Sequence, residues 1–126
     1  MIHELSNTIT SYSVAYPSTG GFSFTQVGNQ SIPSGTAAAD IAVSPDNRYF
    51  ISSSRNSTLF PFPNPIPSNT NTLLSDSLSV WKPTSNGTLL FQSIAPGRGS
   101  FPWHLVLITG GYGGSWHAYE WNGRGL

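Results

Sequence analysis

The chain states one pattern twice. Ser6, Asn7, Thr8, Ile9, Thr10 and Tyr12 align with Ser75, Asp76, Ser77, Leu78, Ser79 and Trp81, and Gly21 and Gln26 align with Gly87 and Gln92. In each copy an alternating run passes through a Pro/Ser/Thr/Gly turn into a second alternating run. Self-similarity in fixed order narrows the fold more than any single motif. Each copy has to be one supersecondary unit that buries its apolar face against a sister unit. The copies lie 69 positions apart at their starts and 66 at their ends.

The local pattern is that of strands. Pro and Gly interrupt every window that begins to place apolar side chains at i, i+3, i+4 and i+7. Period-two alternation is frequent instead. Ile9 is followed by Tyr12, Val14 and Tyr16, with a slip of phase near Ser11. Phe22, Phe24 and Val27 mark a second strand, and Ala39, Ile41 and Val43 a third. Tyr49 and Ile51, Leu78 and Val80, and Leu89, Phe91 and Ser93 mark three more. Each is short and bounded by turn residues. In "SPDNRY", Pro45 presets φ, and Asn47 tolerates the left-handed backbone of a tight hairpin. The expected class is all-β and antiparallel.

One segment departs from this. Leu59 to Leu74 carries Pro61, Pro63, Pro65 and Pro67 at every second position. Proline donates no hydrogen bond, so a helix and a central strand are both excluded. The reading is a long loop of polyproline-II character inserted between two strands of one unit. The spacing is not P-x-x-P, so insertion is favoured over a docking ligand. A four-stranded propeller blade takes about 40–50 residues, and an insertion on the order of 15 brings the repeat offset into line.

Composition excludes several function classes. Charged residues are 8% of the chain, and five basic side chains balance five acidic ones. That leaves no electrostatic footprint for nucleic acid or an anionic membrane. The polar surface is expected to consist mainly of Ser, Thr, Asn and Gly. There is no cysteine, which excludes disulfides, thiolate metal sites and a cysteine nucleophile. No His/Asp/Glu group has metal-ligand spacing, and no phosphate loop or nucleophile elbow is present, so no metal or cofactor is expected. The N-terminus lacks the pattern of a signal peptide, and no apolar run reaches the length of a membrane span. The expected compartment is the cytoplasm. The sequons at Asn29, Asn56 and Asn86 are attributed to chance in a chain rich in Ser and Thr.

Taken together, "HELSNTITSY", "AADIAVSPDNRYFISSSRN", "DSLSVW", "NGTLLFQ" and "FPWH" resemble the lactonase family of seven-bladed β-propellers. That family includes the propeller type of 6-phosphogluconolactonase and carboxy-cis,cis-muconate cyclases. The resemblance runs over residues 1–104, with 59–74 as an insertion, and implies about two four-stranded blades. It matches Glu4 to an acidic residue at a strand end, Arg55 to an arginine in "S-N-R", and His104 to the histidine of "P-R-H". Asn47 stands for a turn glycine, Ser54 for an asparagine, and Trp103 for an arginine. An indole cannot replace a bidentate cation. A seven-bladed ring needs well over twice this length at about 40–50 residues per blade. A partial or mispredicted gene product is therefore expected. Residues 105–126, with aromatics interleaved with glycine and no alternation, are expected to be an atypical tail, read out of frame.

The resemblance implies a small anionic lactone or diacid as substrate. The two reactions are hydrolysis of a sugar lactone and interconversion of a muconate-type diacid with its lactone. In that reading Glu4 is a base or polar anchor, Arg55 holds the substrate carboxylate or phosphate, and His104 transfers a proton. The alternative is a propeller fragment without catalysis, with a binding role or none. His3 and His117 are read as incidental.

Overall fold

The computed structural model describes residues 1–33, 37–55, 59–64, 66–97, 104–109 and 116–121, and every regular element among them is a strand. In chain order these are β1 (Ile2–His3), β2 (Thr8–Ala15), β3 (Ser23–Ser31), β4 (Ala37–Val43), β5 (Phe50–Arg55), β6 (Phe60–Pro63), β7 (Thr72–Ser75), β8 (Ser77–Pro83), β9 (Leu89–Pro96), β10 (His104–Thr109) and β11 (Trp116–Trp121). They form a three-stranded sheet β1-β2-β3, a four-stranded sheet β4-β5-β8-β9, and the two-stranded pairs β6-β7 and β10-β11. All pairings are antiparallel. β4, one edge of the four-stranded sheet, lies beside both β1 and β10, and β3 meets β9 near the other edge. Short antiparallel sheets following one another around a common edge are the radial arrangement of a β-propeller. The chain is a partial propeller with one four-stranded blade and strands of the blades on either side.

The repeat is structural as well as textual. β2 and β3 correspond to β8 and β9. Their ladders slip between Ser11 and Tyr12 and between Val80 and Trp81, which are equivalent places in the two copies. The phase slip seen near Ser11 is therefore a β-bulge, one extra residue that turns the following side chains over.

The core lies between the first two sheets. Ile9 and Ile32 pack with Ala38, Trp81 and Leu89, and Ile2, Ile41 and Phe50 close around them. Trp81 is 1% exposed, and its Nε1 donates to the Ser52 hydroxyl at 2.9 Å. Register grades this face of the four-stranded sheet. Ala38, Ser54 and Ser77 form one row, Ile41, Ser52, Ser79 and Ile94 the next, and Val43, Phe50, Trp81 and Phe91 the last. The face runs from small and polar, at the end of β5 that carries Arg55, to aromatic at the other end. At the aromatic end an apolar cleft of ≈ 390 Å³ opens between the sheets, lined in part by Ile9, Tyr12, Val14, Phe24, Ile41 and Phe50.

Serine is where the composition reading needs correcting. Ser44, Ser52, Ser53, Ser54, Ser75, Ser77 and Ser79 are all buried. Ser6, Ser13, Ser18, Ser23, Ser31, Ser68, Ser85 and Ser93 lie on the surface as expected, and this second set of hydroxyls is buried within the fold.

The turn from β4 to β5 is built as read. Asn47 has φ 57°. The Ser44 hydroxyl donates to Asp46 Oδ1 at 2.6 Å and accepts the Tyr49 amide at 2.9 Å, and the Arg48 amide donates to Asp46 Oδ1 at 3.1 Å. The Ser44 hydroxyl first, and then the Arg48 amide, hold the Asp46 carboxyl below its ordinary range.

The Pro-rich segment is not a plain loop. β6 and β7 pair Phe60 with Ser75, Pro61 with Leu74, and Pro63 with Thr72, making a hairpin arm between β5 and β8. A two-residue spacing of prolines fits this. Alternate residues of an antiparallel pair turn their N–H away from the partner, and proline occupies those positions without breaking the ladder. Leu73 and Leu74 on the arm are exposed. Within the tail, the backbone pairs His104–Thr109 with Trp116–Trp121 in unbroken register. Sequence patterning had shown no strand there.

Candidate functional site

Glu4 opens the turn between β1 and β2. The Asn7 amide donates to the Glu4 carbonyl at 3.3 Å, and Asn7 takes a left-handed φ of 51°. Asn7 also clamps this turn to the end of β3. Its Nδ2 donates to the Ile32 carbonyl, and its own carbonyl accepts the Ile32 amide, each at 2.9 Å. A short polar side chain that accepts positive φ is what such a turn requires. The result fixes Glu4 at the strand end of the first sheet, on the side where β1 meets β4.

Arg55 is the last residue of β5 and pairs with Ala37, the first residue of β4. Its guanidinium Nη2 contacts Glu4 Oε1 directly across the two sheets. The side chains are unequal in exposure, 18% for Arg55 and 53% for Glu4. The arginine is thus largely housed by the fold, and the carboxylate approaches from the solvent side. Two of the three candidate residues are brought together. As the pair stands, the guanidinium charge is already met by a carboxylate, and a half-exposed ion pair contributes at most about 1 kcal/mol to stability.

His104 is the first residue of β10 and pairs with Trp121, and β10 lies beside β4. The strand end it occupies corresponds to the end of β4 that pairs with Arg55. Its side chain, and all of Trp103, lie outside the described residues.

Sequence reasoning missed two carboxylates. Asp40 sits in a second bulge, where the β4–β5 ladder slips between Ala38 and Ile41. Its amide donates to the Ser53 hydroxyl at 3.1 Å, and its Oδ1 accepts the Ile41 amide at 2.8 Å. No signal in the sequence marks it, because the bulge is a property of the β4–β5 pairing. Asp76 is 3% exposed. It lies one step outward from Ser77, as Arg55 lies one step outward from Ser54, and Ser54 pairs with Ser77. Its carbonyl accepts the Gly97 amide at 2.8 Å and the Ser75 hydroxyl at 2.8 Å. Arg55 therefore stands at a blade end that also carries Glu4 and Asp76. His3, next to Glu4, bonds Thr10 at 3.0 Å, and Thr10 bonds Asn29 at 3.2 Å, which is a link within the first sheet.

Neither the apolar cleft nor the groove on the β6–β7 arm includes Glu4 or Arg55. What the ion pair offers chemically is a seated cation with a carboxylate, Glu4, on its solvent side.

The architecture and the pairing of strand ends define a β-propeller with charged residues gathered at one end of its blades. The family model for the lactonase, 7-bladed β-propeller, matches residues 1–112, and the chain belongs to that family. No curated protein and no solved structure matches it.

Proposed function

We propose that the complete ring to which these blades belong acts on a small anionic lactone or diacid, by lactone hydrolysis or by interconversion of a muconate-type diacid and its lactone. The observation that carries this reading is the contact of Glu4 with Arg55 at the end of neighbouring sheets. A guanidinium already shaped to hold one carboxylate is suited to hold a substrate carboxylate or phosphate in its place. In hydrolysis, water adds to the lactone carbonyl, the ring C–O bond breaks, and the leaving oxygen takes up a proton. That sequence needs a base and an acid. Glu4 and His104 are assigned to these roles. Neither step calls for a metal or a redox cofactor.

A second reading has its own support. Arg55 is met by Glu4 and stands at the same blade end as Asp76. That arrangement also suits a propeller that binds without turnover. The test is a lactonase and cycloisomerase assay on this chain beside a version carrying the full ring. Turnover is expected from the full ring only, with Arg55→Met raising KM and Glu4→Gln lowering kcat by ~10²-fold or more. Absence of turnover from both forms transfers the assignment to the binding class.

A further inference from the structure

The blade interior holds a set of hydroxyls that the fold does not satisfy. Ser54, Ser77 and Ser79 are each 0% exposed, and their Oγ atoms have no hydrogen-bond partner among the described residues. They are not scattered. Ser54 pairs directly with Ser77, and Ser79 pairs with Ser52, so all of these side chains project from one face of β5 and β8. That face carries Ala38, which pairs with Ser54, and packs with Ile32 at the end of β3 in the first sheet. Asn7, which clamps Ile32, contributes one more buried acceptor without a partner, its Oδ1. Three orphaned hydroxyls thus occupy two successive rows of one blade face, and a fourth orphaned atom belongs to the turn that clamps Ile32.

We infer that this face holds an internal water site, with at least one ordered water bridging Ser54 and Ser77 and the hydration extending to Ser79. Directly paired residues on one face have Cβ atoms about 4.5–5.5 Å apart. Serine Oγ atoms carried on such a pair can stand about 4.5–5.5 Å apart, the distance that one water bonded at about 2.8 Å to each oxygen bridges. Buried water settles where a polar site supplies two to four partners, and an apolar gap stays dry. The aromatic row of the same face, Phe50 and Trp81, has no such set, and the Ser52 hydroxyl in the row between already receives the Trp81 indole. Serine at these positions is explained by the same logic. Alanine would fit the space between the sheets equally well and would carry no unmet hydroxyl. The site ends one residue before Arg55, so its water fixes the strand end that presents the guanidinium to Glu4. The inference stands independently of any lactonase activity.

The decisive measurement pairs thermal unfolding with a direct view of water. Ser54→Ala and Ser77→Ala should each lower Tm by about 2–6 °C, because each removes a ligand from a bound water. If the hydroxyls are truly orphaned, the same substitutions raise Tm, and the inference fails. Where a variant does not fold, a crystal structure of the unmodified protein at high resolution decides. Water density within hydrogen-bond distance of both Ser54 Oγ and Ser77 Oγ supports the site. Hydroxyls rotated onto backbone carbonyls, with no density between the blades, overturn it.

Discussion

The β2–β3 and β8–β9 hairpins share a sequence pattern, a bulge at the same step and glycines of positive φ in their turns, yet they occupy different environments. Trp81 on β8 is 1% exposed, whereas its counterpart Tyr12 on β2 is 37% exposed. Trp81 has β5 alongside, with the Ser52 hydroxyl to receive its N–H and Phe91 edge-on at 5.5 Å. Tyr12 lines the open cleft and meets Phe24 at 6.1 Å. Beyond it, Phe22 and Phe24 remain largely exposed. The same unit is core in one copy and half surface in the other. Burial in a repeat fold is set by neighbouring strands and sheets as much as by the unit itself.

Substitution of the two aromatics tests this most strongly. Trp81→Ala should cost roughly 3–5 kcal/mol, and Tyr12→Ala no more than about 1 kcal/mol, in denaturant unfolding. Similar losses would mean that the cleft is closed in solution and that the hairpins are equivalent after all. Ser52→Ala follows, at about 1–3 kcal/mol, because it leaves the buried indole N–H unpaired. The matching position on the first sheet, Met1 opposite Thr10, carries no hydroxyl to receive a bond from Tyr12. The turns separate by less. Gly21 and Gly87 have φ of 78° and 82°. Alanine at either should cost about 1–2 kcal/mol for the left-handed backbone. Gly87→Ala should cost slightly more, since its new Cβ would lie 3.2 Å from Val27 Cγ2, while that at Gly21 meets open space.

The smallest effect concerns pH. The Asp46 carboxyl is held below its ordinary range in the fold. The folded chain therefore binds that proton less readily than the unfolded chain does. Its stabilising contribution is present above the unfolded pKa of about 3.9 and is lost as pH falls through the folded value. Asp46→Asn should flatten Tm against pH in that acid window and leave the β8–β9 turn, at the same edge of the repeat, unaffected. An unchanged acid slope would show that the Ser44–Asp46 bond contributes nothing to the linkage.

Much of this architecture was legible. Alternation placed β2, β3, β4, β5, β8 and β9, the slip near Ser11 announced a bulge, and Asn47 marked its turn. Those signals are local, set by side-chain period and by φ. The arm was not legible as strands, because proline removes donors without showing which edge of a ladder they are missing from. β11 was masked by its flanking glycines, although its aromatics favour an extended backbone. The contact of Glu4 with Arg55 joins residues in different sheets, and only the resemblance to a family linked them beforehand. Asp40 and Asp76 went unnoticed because a bulge and a strand-end register are properties of pairing, which a single chain of letters does not display. The buried serines went unmarked for a similar reason: hydropathy alone does not reveal which hydroxyls pairing turns inward.

The prolines of β6 have one more effect. Pro61 and Pro63 leave the side of β6 that faces away from β7 without donors at two alternate positions. Another extended chain arriving there would find carbonyls and no matching N–H groups, so that edge is a poor template for stacking one molecule on the next. An arm with bare leucines thereby has one of its two edges insulated against fibril growth.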